Sequence, residues 1–291
     1  MVTSLPCGQK TLSLTTPQIM GVLNVTPDSF SDGGQLYADA AIKTDRLLER
    51  AERMLTAGAS ILDIGGESTR PGATPVSTQE ELERVMGAVE LIAPRLDVVL
   101  SIDTSNPEVM AAAANAGAGL LNDVRGFRRE GSLAAAAVSG LPVNVMHMSE
   151  EPDRMQAHTD YVDVVEDVSA FLQGRIEACT DMGIRRDQIV IDPGFGFGKT
   201  VAQNYEMLRR LAEFAVFELP ILVGVSRKSM IGAITGRTAE ERVVPSAVLA
   251  VIAAQNGASI LRVHDVAETA DALAVWAATR GTLASDSVGS R

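Results

Sequence analysis

The sequence predicts an α/β fold, a (β/α)8 TIM barrel of parallel strands preceded by a short N-terminal β-hairpin. Short apolar segments recur along residues 18–263, and a helical pattern follows each of them. Polar residues stand at the carboxyl ends of most of these segments, where barrels of this kind collect their functional groups. No shift in composition along the 291 residues marks a second domain.

The first half of the chain is predicted to hold the hairpin and four strand–helix units. Residues 1–17 form the hairpin, in which Leu12 and Leu14 alternate with polar residues. Thr78 and Glu81 have the spacing of a capping box at the start of the second helix. The strands are expected at 18–24, 59–65, 98–103 and 119–123, and the helices at 38–57, 78–93, 107–116 and 133–138.

The second half of the chain repeats the pattern four more times. Residues 18–281 are therefore assigned to one barrel domain, which the hairpin caps, and the small polar tail at 282–291 is expected to be flexible. The strands are expected at 142–146, 188–192, 221–225 and 259–263, and the helices at 161–182, 203–214, 239–256 and 267–278.

The sixth predicted strand ends on Asp192 and opens into a loop with three glycines, which is typical of a ligand-facing loop. The following Gly-Lys-Thr at 198–200 has the ending of a phosphate-binding loop, but that motif needs a glycine where the chain has Pro193. An open doubly wound sheet is also disfavoured, because no dinucleotide-binding glycine pattern follows the first strand. We therefore interpret Asp192 as the polar end of a buried barrel strand.

Charge and composition exclude several classes of partner and site. A net charge of −12 repels nucleic acid and anionic lipid, so neither partner is expected. The sequence has no apolar run long enough for a membrane span and no signal-peptide pattern, so we expect a cytoplasmic protein. Cys7 and Cys179 lack metal or redox spacing and are interpreted as buried or incidental thiols, and the three histidines are too scattered for a zinc site.

The residues at the predicted strand ends form the candidate site. Any one of them could equally be a helix cap, and we favour that interpretation for Asp63. Capping does not explain the whole set, which predicts one hydrogen-bonding pocket at the mouth of the barrel. The set is Asn24, Asp63, Asp103, Asn122, Met146, Asp192, Lys228, Ser229, Arg262 and His264.

The residue types indicate which ligands this pocket can take. Asp103, Asn122 and Asp192 can bind the donor-rich edge of a flat aminopyrimidine, where a carboxylate accepts two parallel N–H groups. Arg262 and His264 are two residues apart on one strand and therefore face the same side.

Two further residues extend the pocket towards an anionic group. Arg70, on the loop after the second strand, adds a cation to those of the last strand, which an acidic protein needs for an anionic substrate. Asn24 offers a neutral oxygen, which suits a Mg²⁺ ion that keeps its waters and takes its other ligands from substrate phosphates.

Long motifs occur at every strand end, in order, over roughly residues 18–270. They lie at residues 20–34, 63–72, 101–104, 122–123, 146–148, 192–199, 226–229 and 262–266. Together they resemble the motifs of the dihydropteroate synthase family. The chain departs from the family pattern at Ser149, Glu150, Gln203 and Pro245, none of which is an expected ligand contact, and Pro245 could kink its helix.

The resemblance implies an enzyme of folate biosynthesis, a transferase that joins 6-hydroxymethyl-7,8-dihydropterin diphosphate to 4-aminobenzoate and releases pyrophosphate. It also implies Mg²⁺, a homodimer, small-molecule substrates and sensitivity to sulfonamides, which imitate 4-aminobenzoate. Two mobile loops, at residues 25–34 and 66–74, would close over the site and exclude water.

The resemblance further implies roles for individual residues. The pterin ring would be held by Asp192, Asn122, Asp103, Lys228 and Met146. Thr69 and Arg70 would close over the reacting carbon, and with Asp103, Asp192 and Lys228 they make up the implied catalytic set. The diphosphate would be held by Arg262, His264 and Asn24 with Mg²⁺, and the aminobenzoate by Phe30, Pro71, Gly196, Phe197, Lys228 and Ser229.

Two other functions stay open from the sequence. A methyltetrahydrofolate–corrinoid methyltransferase has a similar barrel and pterin site, but it lacks the two long loops and the Ser-Arg-Lys-Ser segment at 226–229. A pterin-binding paralogue without catalysis is expected to lose its loop residues first, whereas Asn24, Thr69 and Arg70 are all present.

Overall fold

The structure is a computed structural model that describes residues 2–26, 37–38, 41–42, 44–67, 76–151 and 154–281. Its strands are β1 Ser4–Cys7, β2 Lys10–Ser13, β3 Gln18–Asn24, β4 Tyr37–Ala38, β5 Ala41–Ile42, β6 Ile61–Gly65, β7 Val99–Asp103, β8 Leu120–Asp123, β9 Val143–Met146, β10 Ile189–Asp192, β11 Leu222–Val223 and β12 Ile260–Val263. Its α-helices are α1 Thr44–Thr56, α2 Thr78–Ile92, α3 Pro107–Asn115, α4 Ser132–Ser139, α5 Val164–Asp181, α6 Val201–Arg209, α7 Ser229–Thr235, α8 Val243–Gln255 and α9 Val266–Thr279.

Eight of these strands form one parallel sheet in the order β10-β9-β8-β7-β6-β3-β12-β11. A further parallel bridge between Ile191 and Ile221 joins the first and last strands, so the sheet closes on itself. Neighbouring parallel strands require long crossover connections, and the helices supply them. The predicted (β/α)8 barrel is confirmed.

An apolar layer fills the amino-terminal end of the barrel. Leu5, Cys7 and Leu12 of the antiparallel β1–β2 hairpin pack against it. The inward side chains of this layer are Met20, Ile61, Val99, Leu120, Val190, Leu222 and Ile260, all of them buried. The hairpin therefore covers this end of the barrel, while the tail at 282–291 lies outside the described residues and its flexibility stays a prediction.

Some predicted boundaries differ from the structure. Helix α1 begins at Thr44 and not at 38, because Tyr37–Ala38 pairs with Ala41–Ile42 as a short antiparallel ladder. The predicted capping box at Thr78 is wrong, since Ser77 is the N-cap and its Oγ accepts the N–H of Glu80 at 3.3 Å.

Two more differences concern the last third of the chain. The seven-residue helix α7, Ser229–Thr235, was not expected from the sequence. Pro245 is the third residue of α8, in the first turn, where backbone N–H groups have no partner within the helix. Pro245 therefore removes no hydrogen bond from the helix interior.

Both cysteines are buried free thiols, as the sequence predicts. Burial raises the pKa of Cys7 to about 12 and that of Cys179 to about 11, so neither is a thiolate at neutral pH. Among the helices in the described part of the chain, none combines the length and apolarity needed to cross a membrane.

Candidate functional site

A layer of four polar side chains forms the floor of the candidate site. The layer follows from the barrel geometry, in which inward residues of alternate strands lie at one level. Its members come from β6, β8, β10 and β12, and they are Asp63, Asn122, Asp192 and Arg262. We call this set the polar layer; three members were predicted to meet here, and the structure brings them together.

Asp63 is the fourth member, and our preference for a helix cap at this position is wrong. Its side chain is fully buried inside the barrel. Its carboxylate accepts from Arg262 Nε at 2.6 Å, from Ser101 Oγ at 2.6 Å and from Asn122 Nδ2 at 3.2 Å. The alternation of strand side chains carries the signal, because Asp63 shares the inward face with Ile61.

Arg262 ties the polar layer to Asp103, which lies one step closer to the mouth of the barrel. Arg262 Nη2 donates to Asp103 Oδ2 at 2.8 Å. Burial raises the pKa of Asp103 to about 7, although Arg262 opposes the shift. Burial would by itself lower the pKa of Arg262, but Asp63 and Asp103 raise it above its ordinary value. The guanidinium is therefore a permanent cation, whereas Asp103 titrates near neutral pH.

Asp192 and Lys228 are two further ionisable groups of the site, and each acts on the pKa of the other. Burial raises the pKa of Asp192, against the field of Lys228, and lowers the pKa of Lys228 to about 8, against the field of Asp192. Asp192 Oδ1 accepts the N–H of Gly194 at 2.7 Å, which anchors the start of the following loop. Lys228 donates to the carbonyl oxygen of Phe195 on the same loop.

The loop after β10 brings Gly196 and Phe197 onto Lys228. The ammonium lies 4.7 Å from the centroid of the Phe197 ring, within the range of a cation–π contact. Gly196 has φ +81°, and a Cβ there would lie 3.1 Å from Lys228 Cδ. Both the backbone conformation and the approach of the lysine stem therefore favour glycine at this position.

Lys199 points into this loop and away from a phosphate-binding role. Its Nζ is buried and donates to the carbonyl oxygens of Gly194 at 2.8 Å and Phe197 at 3.0 Å. It also lies 2.9 Å from His147 Nδ1. The lysine fixes the loop conformation from within, which agrees with our rejection of a phosphate-binding loop.

An apolar patch lies beside the polar layer. Met146 pairs in register with Asp192 on the neighbouring strand, and it packs with Met148, Val124 and Phe197. The site thus combines a hydrogen-bonding floor with a thioether and aromatic wall, which suits a flat ligand with a polar edge.

Three predicted residues lie at the mouth of the barrel. Asn24 ends β3, and its Oδ1 and Asp103 Oδ2 would lie 3.2 Å and 3.8 Å from a Cβ at Gly65, so the missing side chain of Gly65 leaves both oxygens accessible to one space. His264 Nδ1 lies 3.0 Å from Ser226 Oγ, which also accepts the His264 backbone N–H at 3.1 Å. Ser229 is exposed at the start of α7.

The remaining predicted residues, Phe30, Thr69, Arg70 and Pro71, lie outside the described residues. Among the side chains that are described, no group of three or more His, Cys, Asp or Glu residues could hold a metal ion.

Known proteins resemble this chain over nearly its whole length. Residues 20–264 match the family model described as pterin binding enzyme. The dihydropteroate synthase of Haemophilus influenzae is 50% identical over 272 residues, which cover 94% of this chain and 97% of the relative. The crystal structure of the Yersinia pestis dihydropteroate synthase in a sulfonamide drug complex is 51% identical with a TM-score of 0.91, and it covers 96% of this chain and 99% of that one.

A second solved structure carries a ligand that bears on the reaction. It is the dihydropteroate synthase of Xanthomonas albilineans in complex with 7,8-dihydropteroate, 43% identical with a TM-score of 0.85. The match covers 95% of this chain and 98% of that one. Similarity of this extent along nearly the whole length, with the same fold, establishes descent: the chain belongs to the dihydropteroate synthase family of pterin binding enzymes.

Proposed function

We propose that the protein condenses 6-hydroxymethyl-7,8-dihydropterin diphosphate with 4-aminobenzoate, giving 7,8-dihydropteroate and pyrophosphate for folate biosynthesis. The observation that carries the proposal is the polar layer, which offers acceptors and an amide beside the apolar patch at Met146 and Phe197. The relatives named dihydropteroate synthase, one of them bound to 7,8-dihydropteroate, support the same reaction.

The pterin ring would lie on the polar layer with its amino edge towards Asp192 and Asn122. A buried carboxylate accepts two parallel N–H groups in charge-assisted hydrogen bonds, which are stronger than neutral ones. Asp103 would accept a further N–H, and Lys228 would donate to the oxygen and nitrogen side of the ring. Met146 would pack on the face of the ring.

The reaction exchanges one bond for another at the methylene carbon of the pterin. The bond from this carbon to the diphosphate oxygen breaks, and its electron pair leaves with pyrophosphate. The amine nitrogen of 4-aminobenzoate then forms the new carbon–nitrogen bond and loses a proton to solvent. Asp103 and Asp192 stabilise positive charge on the pterin, and Arg262 with His264 stabilises the departing anion, so that catalysis is mainly electrostatic.

The aminobenzoate would bind between the loop after β10 and the start of α7. The ring would contact Phe197 and the backbone at Gly196, and the carboxylate would lie near Lys228 and Ser229. Phe30 and Pro71 would complete this wall, while Thr69 and Arg70 would close over the reacting carbon and exclude water.

We propose Mg²⁺ as the metal that accompanies the diphosphate. When bound, it neutralises phosphate charge. Asn24 is the residue that would hold it, and its Oδ1 shares the space over Gly65 with Asp103 Oδ2. Calorimetry should show little Mg²⁺ binding to the protein alone, binding once pyrophosphate is added, and loss of that binding in Asn24→Ala. Equal Mg²⁺ binding by Asn24→Ala would remove this residue from the site.

We further propose a cytoplasmic homodimer. Self-association is supported by an exposed apolar face on α7 and α8, where Ile234, Val244 and Val248 are 67%, 74% and 52% exposed. Exposed apolar patches of this kind mark interaction sites. Sedimentation should give a dimer for the natural protein and a monomer for Val244→Asp; a monomeric natural protein would refute the assignment.

Sensitivity to sulfonamides follows from the same aminobenzoate wall. These drugs imitate the aniline ring and its opposite polar group, and the similar Yersinia pestis enzyme forms a complex with one. Sulfamethoxazole should inhibit competitively against 4-aminobenzoate. Failure at concentrations far above the Michaelis constant of the substrate would show that this wall is assigned wrongly.

The direct test of the reaction combines the protein, Mg²⁺, the dihydropterin diphosphate and 4-aminobenzoate. The expected products are 7,8-dihydropteroate, seen by mass spectrometry, and one equivalent of pyrophosphate. Asp192→Asn is the matched control and should form much less product, because it loses a charged acceptor for the pterin. Its asparagine oxygen can still accept the Gly194 N–H, so the following loop keeps its anchor. Pterin binding without product formation would point to a non-catalytic paralogue.

A further inference from the structure

Asn144 is a buried polar side chain that the proposed mechanism does not use. It lies on β9, fully buried, and pairs in register with Asn122 on β8. The inward residues at its level come from alternate strands and lie directly beneath the polar layer. They are Met20, Ser101, Asn144 and Leu222.

The hydrogen bonds of Asn122 determine the direction of this contact. The Asp63 carboxylate, paired with Arg262, can only accept, so Asn122 must present its NH2 group to Asp63. Asn122 Oδ1 therefore faces Asn144, which donates to it from Nδ2 at 2.8 Å. The amide of Asn122 is held from two sides, by an acceptor and by a donor.

The donor from Asn144 is the stronger restraint of the two. Asn122 Nδ2 lies at 3.2 and 3.3 Å from the two Asp63 oxygens, which divides one N–H between them. The 2.8 Å bond from Asn144 is shorter and undivided. It therefore sets the plane of the Asn122 amide and leaves the second N–H of Asn122 available to a ligand above.

This arrangement carries a cost that packing alone does not explain. Among the residues that the structure describes, none donates a hydrogen bond to the buried Asn144 Oδ1, and an unpaired buried acceptor is unfavourable. Met20 and Leu222 at the same level are apolar, so an apolar side chain at 144 would remove this unpaired acceptor, but it would also take away the donor to Asn122 Oδ1. The asparagine is accounted for by what its Nδ2 does to Asn122.

We propose that Asn144 is a positioning residue for pterin binding, which orients the Asn122 amide so that its free N–H meets an acceptor nitrogen of the pterin ring. The inference rests on the pterin site of the proposed function. Asn144 lies beneath the ligand and touches no reacting atom, so its loss raises the KM for the dihydropterin diphosphate and leaves kcat nearly unchanged.

Two substitutions separate positioning from packing. Asn144→Leu keeps the branched shape with a somewhat larger side chain and removes the donor, and we expect affinity for 6-hydroxymethylpterin to fall about tenfold at every pH. Asn144→Asp has no donor when ionised, but its protonated carboxyl can donate to Asn122 Oδ1 as the natural amide does. Its deficit relative to the natural protein should therefore be large at about pH 8 and close to zero at about pH 5.5, since burial raises the pKa of the new carboxyl.

Calorimetric titration with 6-hydroxymethylpterin across this pH range is the measurement, with thermal unfolding to verify that each variant is folded. Met20→Leu is the matched control at the same level, and its affinity should equal that of the natural protein. Natural affinity in Asn144→Leu, or a deficit of Asn144→Asp that does not change with pH, overturns the inference. If the natural protein makes 7,8-dihydropteroate and the variants bind pterin as it does, only this inference fails; if the natural protein binds no pterin, both proposals fail.

Discussion

The two levels of the barrel interior differ in chemistry although they come from the same four strands. A step of two residues along each strand leads from an apolar to a polar side chain on the inward face. The pairs are Ile61 and Asp63, Leu120 and Asn122, Val190 and Asp192, and Ile260 and Arg262. The hairpin covers the lower level, and the upper level opens towards the site.

Inward residues only two positions apart on one strand therefore have different roles, one in stability and the other in the chemistry of the site. The lower level gains from the removal of apolar surface from water. In the upper level Arg262 pairs with Asp63 at 2.6 Å and with Asp103, one step closer to the mouth, at 2.8 Å, and this pairing offsets the cost of burying these charges. Single substitutions at the lower level should therefore lower the free energy of unfolding, whereas those at the upper level should also lower ligand binding or activity.

Arg262→Leu should give the largest effect, because it places an apolar side chain in the upper level and leaves Asp63 and Asp103 without their cation. Removal of one partner of a buried ion pair costs about 3–5 kcal/mol. We expect a loss of that size in the free energy of unfolding, measured in urea, together with the loss of dihydropteroate formation. Arg262→Lys keeps the charge and should recover part of the stability. Natural stability in Arg262→Leu would mean that this charge pairing does not hold the upper level together.

Leu120→Ala tests the lower level alone. Truncation of a buried leucine costs about 2–5 kcal/mol because it leaves a cavity. We expect this loss in urea unfolding, whereas kcat/KM of the folded fraction at low temperature should stay within about twofold. Asn122→Ala, two residues along the same strand, should show the reverse pattern. A marked fall in kcat/KM for Leu120→Ala would show that the two levels are coupled.

Asp192→Asn should affect pterin binding more than folding. One of the two carboxylate acceptors becomes a donor, so one N–H of the ligand loses a charge-assisted partner. The affinity should fall by about 1.5–3 kcal/mol, or ten- to a hundredfold, in calorimetric titration. Unchanged affinity would remove Asp192 from the site.

The sequence predicts which residues make up the upper level better than it predicts the contacts between their side chains. Asp192, Asn122 and Arg262 could be identified because each ends an apolar strand of a repeating pattern. The pairing of Arg262 with Asp63 joins residues 199 positions apart, and only closure of the barrel brings them together. Asp63 was misjudged because a polar strand end also suits a helix cap.

Asn144 was missed for a different reason, since it stands inside a strand with apolar neighbours on both sides.

Local patterns also failed where tertiary structure decides the conformation. Ser77 caps α2 in place of Thr78, whereas Glu81 accepts from the Thr104 hydroxyl of the neighbouring β7–α3 segment. The seven-residue α7 is too short to show a helical period.

The last expected effect, small near neutral pH, is a pH dependence that comes from Asp103 and Lys228 beside the upper level, whereas the inward side chains of the lower level have no titratable group. Asp103, with its pKa near 7, must be ionised to accept from the pterin, so kcat/KM should fall about tenfold per pH unit below that value. Lys228, with its pKa near 8, must be protonated to donate, so kcat/KM should fall again above it. The expected profile is a narrow bell, and Asp103→Asn should lose its acidic limb.

The stability contribution of Asp103 should change in the opposite direction. Its folded pKa lies above the ordinary carboxyl value of 3.8, so the folded protein binds more protons than the unfolded chain between these two values. This carboxyl therefore favours folding increasingly as the pH falls from 7 towards 4, while pterin binding weakens. Urea unfolding of the natural protein and of Asp103→Asn, measured at the same pH values as kcat/KM, would reveal both trends. A kcat/KM profile that is flat between pH 6 and 8.5 would show that neither group limits the reaction and would assign proton-dependent binding to other residues.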